Sequence, residues 1–446
     1  MTRTVGTQWR WLSSGIAAIT LLAACGGSGG SSTGSASAAN CNGVQLNAAF
    51  LSGGPYDQIF TNIPVWEKQT GATVTVAIKG AGGDFFPSVL QALATGSPQL
   101  DITSEHTSFY QQAIAYLAPL DSYFSKSDLS LFYPSMISAG TSNGHLWLIP
   151  RHLDVGALYY RTDLFNNPTE QANFQAKYGY PLAPPTTFAQ FKDMAEFFTR
   201  PGQGLVGSSL PGKAEEPLLG RFNELLVGFG GQFLSADDKS SAFNSTAGTQ
   251  ALQYIRDLYK AGAIPSATAN MSFGEQDTLF TNGKTAFLDN FPYALSIYQD
   301  PKQSKVSTNV GIADNPGGPS GHVSWGGAHA WAVAKRSQHP ACAASLIKFL
   351  TSPSNMLSEA KLGFLPPRSD VAQMLSDQTT DPQGKARLQL YQQIVAKEFL
   401  AVPATPQWVP LANKLTPIIQ QVMLGDVSVQ DGLSQMASQA NVLLKQ

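Results

Sequence analysis

Strand-like and helix-like patterning alternate along the chain from residue 44 onward. "VQLNAAF" (44–50) reads as a strand. "YDQIFTNIPVWEKQTG" follows, with Ile59, Ile63 and Trp66 at helical spacing and Gly71 as a stop. "TVTVAI" (73–78) alternates Val74, Val76 and Ile78, which predicts a strand. "FFPSVLQALATG" predicts a helix with Phe86, Leu90 and Leu93 on its apolar face, and "LDIT" (100–103) a short strand. This β-α-β-α-β order argues for an α/β fold with a mainly parallel sheet under covering helices.

The middle of the chain is more helical. "TTFAQFKDMAEFFT" opens with Thr187 and Gln190 spaced as a capping box and carries Phe188, Phe191, Ala195 and Phe198 on one stripe. Two further helices and a strand at 285–289 follow. Strand character returns at "HVSWGGAHAWAVA" (322–334). "HPACAASLIKFLTSP" predicts a helix with Pro340 at its start and Pro353 beyond its end. The last helix opens on Ser428 and Asp431 and buries Leu433, Met436, Ala440 and Leu444. No fixed-period repeat is present.

The first forty residues follow another pattern. Arg3 and Arg10 precede a short apolar run (12–24), which is too short for a bilayer span of about 20 residues and reads as a signal segment, 1–24. Leu22-Ala23-Ala24-Cys25-Gly26 resembles a bacterial lipobox, in which the chain is cut before the Cys and the thiol is acylated. Residues 25–40 are then an acylated Cys25 and a flexible Gly/Ser tether, which implies an extracytoplasmic protein anchored to the cell membrane by lipid. Two cysteines remain, Cys41 and Cys342. Outside the cytoplasm they can pair, and the sequence leaves open whether they do.

Composition narrows the function. Charged residues make up 13% of the 446-residue chain, against about 25% in an ordinary soluble protein. The net charge is −2, so no broad surface attracts nucleic acid. Seven Trp, 14 Tyr and 24 Phe suit a neutral polyhydroxylated ligand, whose C–H faces stack on rings. Catalytic patterns give nothing. Gly26–Gly30 matches G-x-S-x-G but lies in the tether, and Gly202–Gly207 matches G-x-G-x-x-G after a helix rather than a strand. The six His are scattered, so neither a metal nor a cofactor is expected, and no enzymatic role.

From residue 44 on, the order of segments resembles the extracellular solute-binding proteins (family 1, sugar type) of bacterial ABC importers. The segments that carry the resemblance include "LQALATGSPQLDI" (90–102), "NGHLWLIPRHLDVGALYYRTDLF" (143–165), "FTNGKTAFLDNFPYAL" (280–295), "WGGAHAWAVAKRSQHPACAASLIKFLTSP" (325–353) and "GFLPPRSDV" (363–371). The resemblance implies a periplasmic-binding-protein fold of two α/β lobes around a hinge, each lobe a mainly parallel sheet flanked by helices. Lobe 1 is expected at 41–152 plus 320–375 and lobe 2 at 153–319 plus 376–446. "IPRHLDVGALYY" and "DNPGGPSG" are the expected crossings.

The resemblance also implies ligand contacts on loops that face the cleft. After the first strand these are Tyr56 and Asp57; Asp57 reads equally as a helix N-terminal charge. After "LDIT" they are Glu105 and His106. In the crossing they are Arg151 and Asp154, with an Arg151–Asp154 salt bridge as the competing reading. "AEEPLLGRFN" offers Glu216. Phe291, helped by Tyr293, takes the position of a sugar-stacking aromatic. "WGGAHAW" offers Trp325, His329 and the glycines Gly326 and Gly327, which would let backbone approach ligand. Val402 stands where many relatives have Arg, and Trp408 could partly replace it.

The expected function is the substrate-binding lipoprotein of a carbohydrate importer. It takes a mono- or oligosaccharide by hinge closure and hands it to membrane permease subunits served by a separate ATPase. A monomer is expected. The alternatives are the same fold binding a polyol, a glycerophosphodiester or another polar nutrient, and a secreted glycosidase.

Overall fold

The computed structural model describes residues 40–80 and 84–445. The signal segment, Cys25 and nearly all of the tether lie outside the described residues. Twelve strands run β1 (Gln45–Leu51), β2 (Thr73–Gly80), β3 (Ile102–His106), β4 (Leu117–Ala118), β5 (Thr141–Ser142), β6 (His145–Leu146), β7 (Ile149–Val155) and β8 (Ala157–Arg161). Then come β9 (Phe287–Asn290), β10 (Val310–Ala313), β11 (Ser324–Ala334) and β12 (Phe399–Leu400).

Lobe 1 is built on one sheet in the order β12-β11-β3-β1-β2, with β4 and β7 also on β11. β1 pairs in parallel with β2 and β3, as the opening β-α-β-α-β pattern requires. β11 runs antiparallel between β3 and β7; its Trp331 pairs with both Ser104 and Ile149. The strand is long and apolar because both of its faces are covered. On β1, Leu46, Ala48 and Phe50 enter one core and Ala49 and Leu51 the other, the period-two signature of a sheet buried on both sides.

Lobe 2 has a smaller sheet, β10-β8-β9. The expectation of a mainly parallel sheet in each lobe is corrected here: both pairings are antiparallel. These strands enter from crossings and long helical excursions, so connection length no longer sets their direction. Leu158 and Phe287 face the large helical core, while Tyr159 and Leu288 face a small one.

The chain leaves lobe 1 through Val155-Gly156-Ala157, where β7 runs on into β8, and returns between β10 and β11. The third passage lies further along than the expected boundary at 375. The helix Pro382–Lys397 places Leu388, Tyr391, Ile394 and Val395 in the lobe 1 core, and β12 joins β11. Val402 already packs against the lobe 2 core, and from Trp408 on, in the helix Trp408–Leu424, side chains are buried in it.

Caps fall where the sequence places them. Thr187 accepts a bond from the Gln190 N–H and Ser428 one from Asp431. The helix Phe85–Thr95 is turned by one position from expectation, burying Phe85, Val89, Ala92 and Leu93 and leaving Phe86 half-exposed. Gly202–Gly207 lies in a short turn closed by an Arg200–Leu205 bridge rather than between a strand and a helix. Cys41 and Cys342 are bonded, with Cα atoms 5.6 Å apart, tying the start of the body to the helix Pro340–Leu350. Among the described residues no helix is long and apolar enough to cross a membrane.

Candidate functional site at the junction of the lobes

Three histidines from three adjacent strands form the lobe 1 side. In the ladders His329 of β11 lies opposite His106 of β3 and His152 of β7. A bulge makes this possible. His329 faces His152 but Ala330 faces Pro150, so Arg151 is an extra residue on β7 that re-aims its neighbours. The His106 and His329 rings are 4.8 Å apart, and His152 stacks 3.9 Å from Phe364. Asp154 meets them, its Oδ2 3.0 Å from His329 Nε2 and 3.8 Å from His106 Nε2. The Tyr56 hydroxyl lies 3.1 Å from the same His329 nitrogen.

Two of these imidazoles, His106 and His152, are held neutral. Burial, then the adjoining His329, pushes His106 down to about 3 against the pull of Asp154. Burial and the charges of its neighbours hold His152 well below the usual range. The Ser108 N–H donates to His106 Nδ1 at 3.1 Å, which places the His106 proton on Nε2. That tautomer leaves His106 Nε2 no lone pair for a cation, although ligand atoms of His106, Asp154 and His329 lie within 4.8 Å of one another. A second such group, Asp314, His322 and Glu398, sits beside the hinge. There His322 Nδ1 is 2.7 Å from the Asn315 carbonyl, which occupies it as a donor.

The lobe 2 side centres on Arg221 of the helix Glu216–Gly228. Its guanidinium pairs with both Glu224 and Asp289 of β9. Asn315 donates to Asp289 at 3.0 Å. Burial pushes the Asp289 carboxyl up, against the pull of Arg221. Arg221 lies over Trp325 and Phe291, whose rings meet edge to face at 5.3 Å. Arg221 Nη2, Asp289 Oδ1 and Trp325 Nε1 are buried without a hydrogen-bond partner among the described residues, so polar capacity collects at this junction. The lobes are close enough for the Asp154 charge to act on Tyr293, whose phenol is raised mainly by burial and by Asp277 and further by Asp154.

The structure brings His106, Asp154, His329, Phe291, Tyr293 and Trp325 to the junction. Tyr293 also donates to Asp277 at 3.1 Å, which steadies it. Other candidates are placed differently. Arg151 is buried and bound to Glu359 at 2.9 and 3.0 Å, so its guanidinium is a strut beneath the site, and the competing reading, an Arg151–Asp154 bridge, is not formed either. Glu105, one residue from His106, points into the opposite core with Thr103 for company. Asp57 is exposed and accepts from the Gly53 N–H at 2.9 Å, a loop-closing role. Trp408 packs on Phe233 inside lobe 2, and only its Nε1 reaches out, to Glu216 at 2.8 Å. That indole has no face to offer a ligand. Glu216 is raised to about 7 by burial, which Trp408 and Arg221 oppose. Gly326 and Gly327 make room for protein rather than for ligand. A Cβ on Gly327 would stand 2.6 Å from His106 Cε1, and one on Gly326 2.1 Å from the Asp154 carbonyl oxygen.

Arg221, Asp289 and Phe86 were missed in the sequence. Arg221 had a local signal: it stands at i+3 from Leu218 and i−4 from Leu225, a charge on an otherwise apolar stripe. Phe86 read as core, yet it borders His106 and Phe109. Asp289 had no local signal.

The family model described as "Bacterial extracellular solute-binding protein" matches residues 47–357. A Deinococcus radiodurans protein named "Probable ABC transporter-binding protein" is 28% identical over 332 residues, covering 71% of this chain and 74% of its own. A Pseudomonas aeruginosa "Mannitol-binding protein" is 28% identical over 233 residues, half of this chain and 49% of its own length. The structure of a maltose-bound T. maritima protein superposes with a TM-score of 0.75 at 23% identity, over 90% of this chain and all of that one. That likeness supplies the two-lobed α/β fold, and the match over most of the sequence supplies the lineage. The chain belongs to the bacterial extracellular solute-binding protein family.

Proposed function

We propose that the chain captures a sugar or polyol between its lobes and delivers it, on closure, to the permease of an ABC importer. The observation that carries this reading is the junction itself. Asp154, His106 and His329 of lobe 1 lie on one side of the crossings and Phe291, Tyr293 and Arg221 of lobe 2 on the other; Trp325 touches Phe291 and Arg221, and the Asp154 charge reaches Tyr293. Rings for C–H faces and fixed donors and acceptors for hydroxyls are what a polyhydroxylated solute needs. A relative named for mannitol and a structural neighbour bound to maltose support the class. The crossings at 155–157, 314–323 and 401–407 are the hinge about which the lobes close. Ligand shifts that equilibrium only by binding the closed form better.

A glycerophosphodiester is disfavoured. Arg151, the cation that would have met its phosphate, is spent on Glu359. The chain works outside the cytoplasm. We assign its anchor to acylated Cys25, which recovery of the full chain in the membrane fraction would measure.

Thermal melts of the full chain against sugars and polyols test the reading. A true ligand at about 100 times its Kd stabilises the fold by roughly 2.7 kcal/mol. Phe291→Leu should weaken that ligand while leaving the unliganded melt near its original temperature. Stabilisation by amino acids or peptides and by no carbohydrate or polyol overturns the class.

A further inference from the structure

Among the described residues no Lys or Arg pairs with the Asp154 carboxylate. Its close polar neighbours are His329 and His106, at 3.0 and 3.8 Å. His106 carries one proton, on Nε2, and resists a second. His329 Nδ1 is buried without a partner, so an imidazolium there would strand an N–H. The two guanidiniums nearby are committed, Arg151 to Glu359 and Arg221 to both Glu224 and Asp289. Tyr56 and Tyr293, whose phenols feel the Asp154 charge, are neutral. The Asp154 side chain keeps 17% of its surface exposed, so it is open to a ligand at the junction.

Closing the lobes on a ligand takes water from this carboxylate. A hydroxyl returns a hydrogen bond and no charge, and an unpaired charge withdrawn from water is costly. An ammonium returns both. Phe86, Phe109 and Tyr56 border the two imidazoles beside Asp154, apolar surroundings in which an ion pair is little screened.

We propose that the preferred ligand is an amino sugar or amino polyol whose ammonium group sits against Asp154. This rests on the sugar-or-polyol reading above and sharpens it.

Calorimetry on the full chain tests it with matched pairs: glucosamine and glucose, galactosamine and galactose, mannosamine and mannose, glucamine and sorbitol. Measurements are made at about pH 6, where such amines are protonated. In any pair that binds, the amine should bind roughly tenfold more tightly, and its N-acetyl derivative should lose that gain. Asp154→Asn, close to isosteric, should erase the difference between the members. Asp154→Glu, which keeps the charge, should retain part of it. Melts of both variants confirm folding. A neutral member that binds as tightly as its amine, or a difference that survives in Asp154→Asn, overturns this inference and leaves the broader reading intact. If no member of any pair binds, and no other neutral sugar or polyol does, the broader reading is overturned and this one with it.

Discussion

Glu105 sits inside lobe 1 with a single polar partner, the Thr103 hydroxyl at 3.2 Å. Burial raises its carboxyl from the ordinary 4.5 to about 8. The folded protein therefore holds this proton more tightly than the unfolded chain does. The stability gained from it is complete below about 4.5, erodes as pH rises, and is lost above about 8. Glu105→Gln keeps the shape of the neutral acid and removes the titration. Its melting temperature should match the parent at about pH 4 and exceed it at about pH 9. Parallel melting curves across that range would show that the group does not titrate this way. The neighbouring His106 illustrates how much one position matters on a strand: successive side chains take opposite faces, one to the core and one to the site.

At the scale of elements, the contact between the helix Glu216–Gly228 and β11 joins the two lobes. Gly220 lies flat against the Trp325 indole, and a Cβ there would stand 2.4 Å from the ring. Gly220→Ala should strengthen the helix by up to about 1 kcal/mol and force it away from Trp325. The expected outcome is a Kd raised roughly tenfold with little change in the unliganded melting temperature, read by calorimetry beside a melt. An unchanged Kd would mean that closure does not use this contact.

The same scale shows what was legible. Strands, helix caps and stops could be read because their signals are local: alternation at 73–78, Thr187 and Ser428 as caps, Gly71 as a stop. Strand direction in lobe 2 could not, because β8, β9 and β10 are neighbours only after long excursions. The helix face at Phe85 and Phe86 was ambiguous, since adjacent Phe residues satisfy either phase. At the site, Asp154, His106 and His329 were expected from the family resemblance and not from a spacing pattern of their own. The bond between Arg221 and Asp289 joins residues far apart in sequence, which no spacing rule reveals.

For the whole molecule, the Cys41–Cys342 bond closes a separation of 301 residues within lobe 1. Cross-links of this kind stabilise chiefly by restricting the unfolded chain. The double variant Cys41→Ser/Cys342→Ser should lose about 2–4 kcal/mol in urea unfolding while keeping ligand affinity, since neither cysteine adjoins the junction. An unchanged midpoint would place the stabilisation elsewhere. The hinge is tied as well: Tyr391 of the lobe 1 helix meets the Tyr159 hydroxyl at 2.7 Å, and Tyr159 donates to the Phe291 carbonyl at 3.0 Å.

The place of β11 bears on how the protein is made. It is the strand between β3 and β7, yet it arrives only at residue 324, and β12 and the helix before it come later still. A nascent chain that has emerged as far as residue 300 holds β1, β2, β3 and β7 with nothing to join β3 to β7. Its first half cannot complete a core, and Cys41 still lacks its native partner, Cys342. Lobe 1 therefore cannot close its sheet and core until residues 324–400 have been made, long after its first strands.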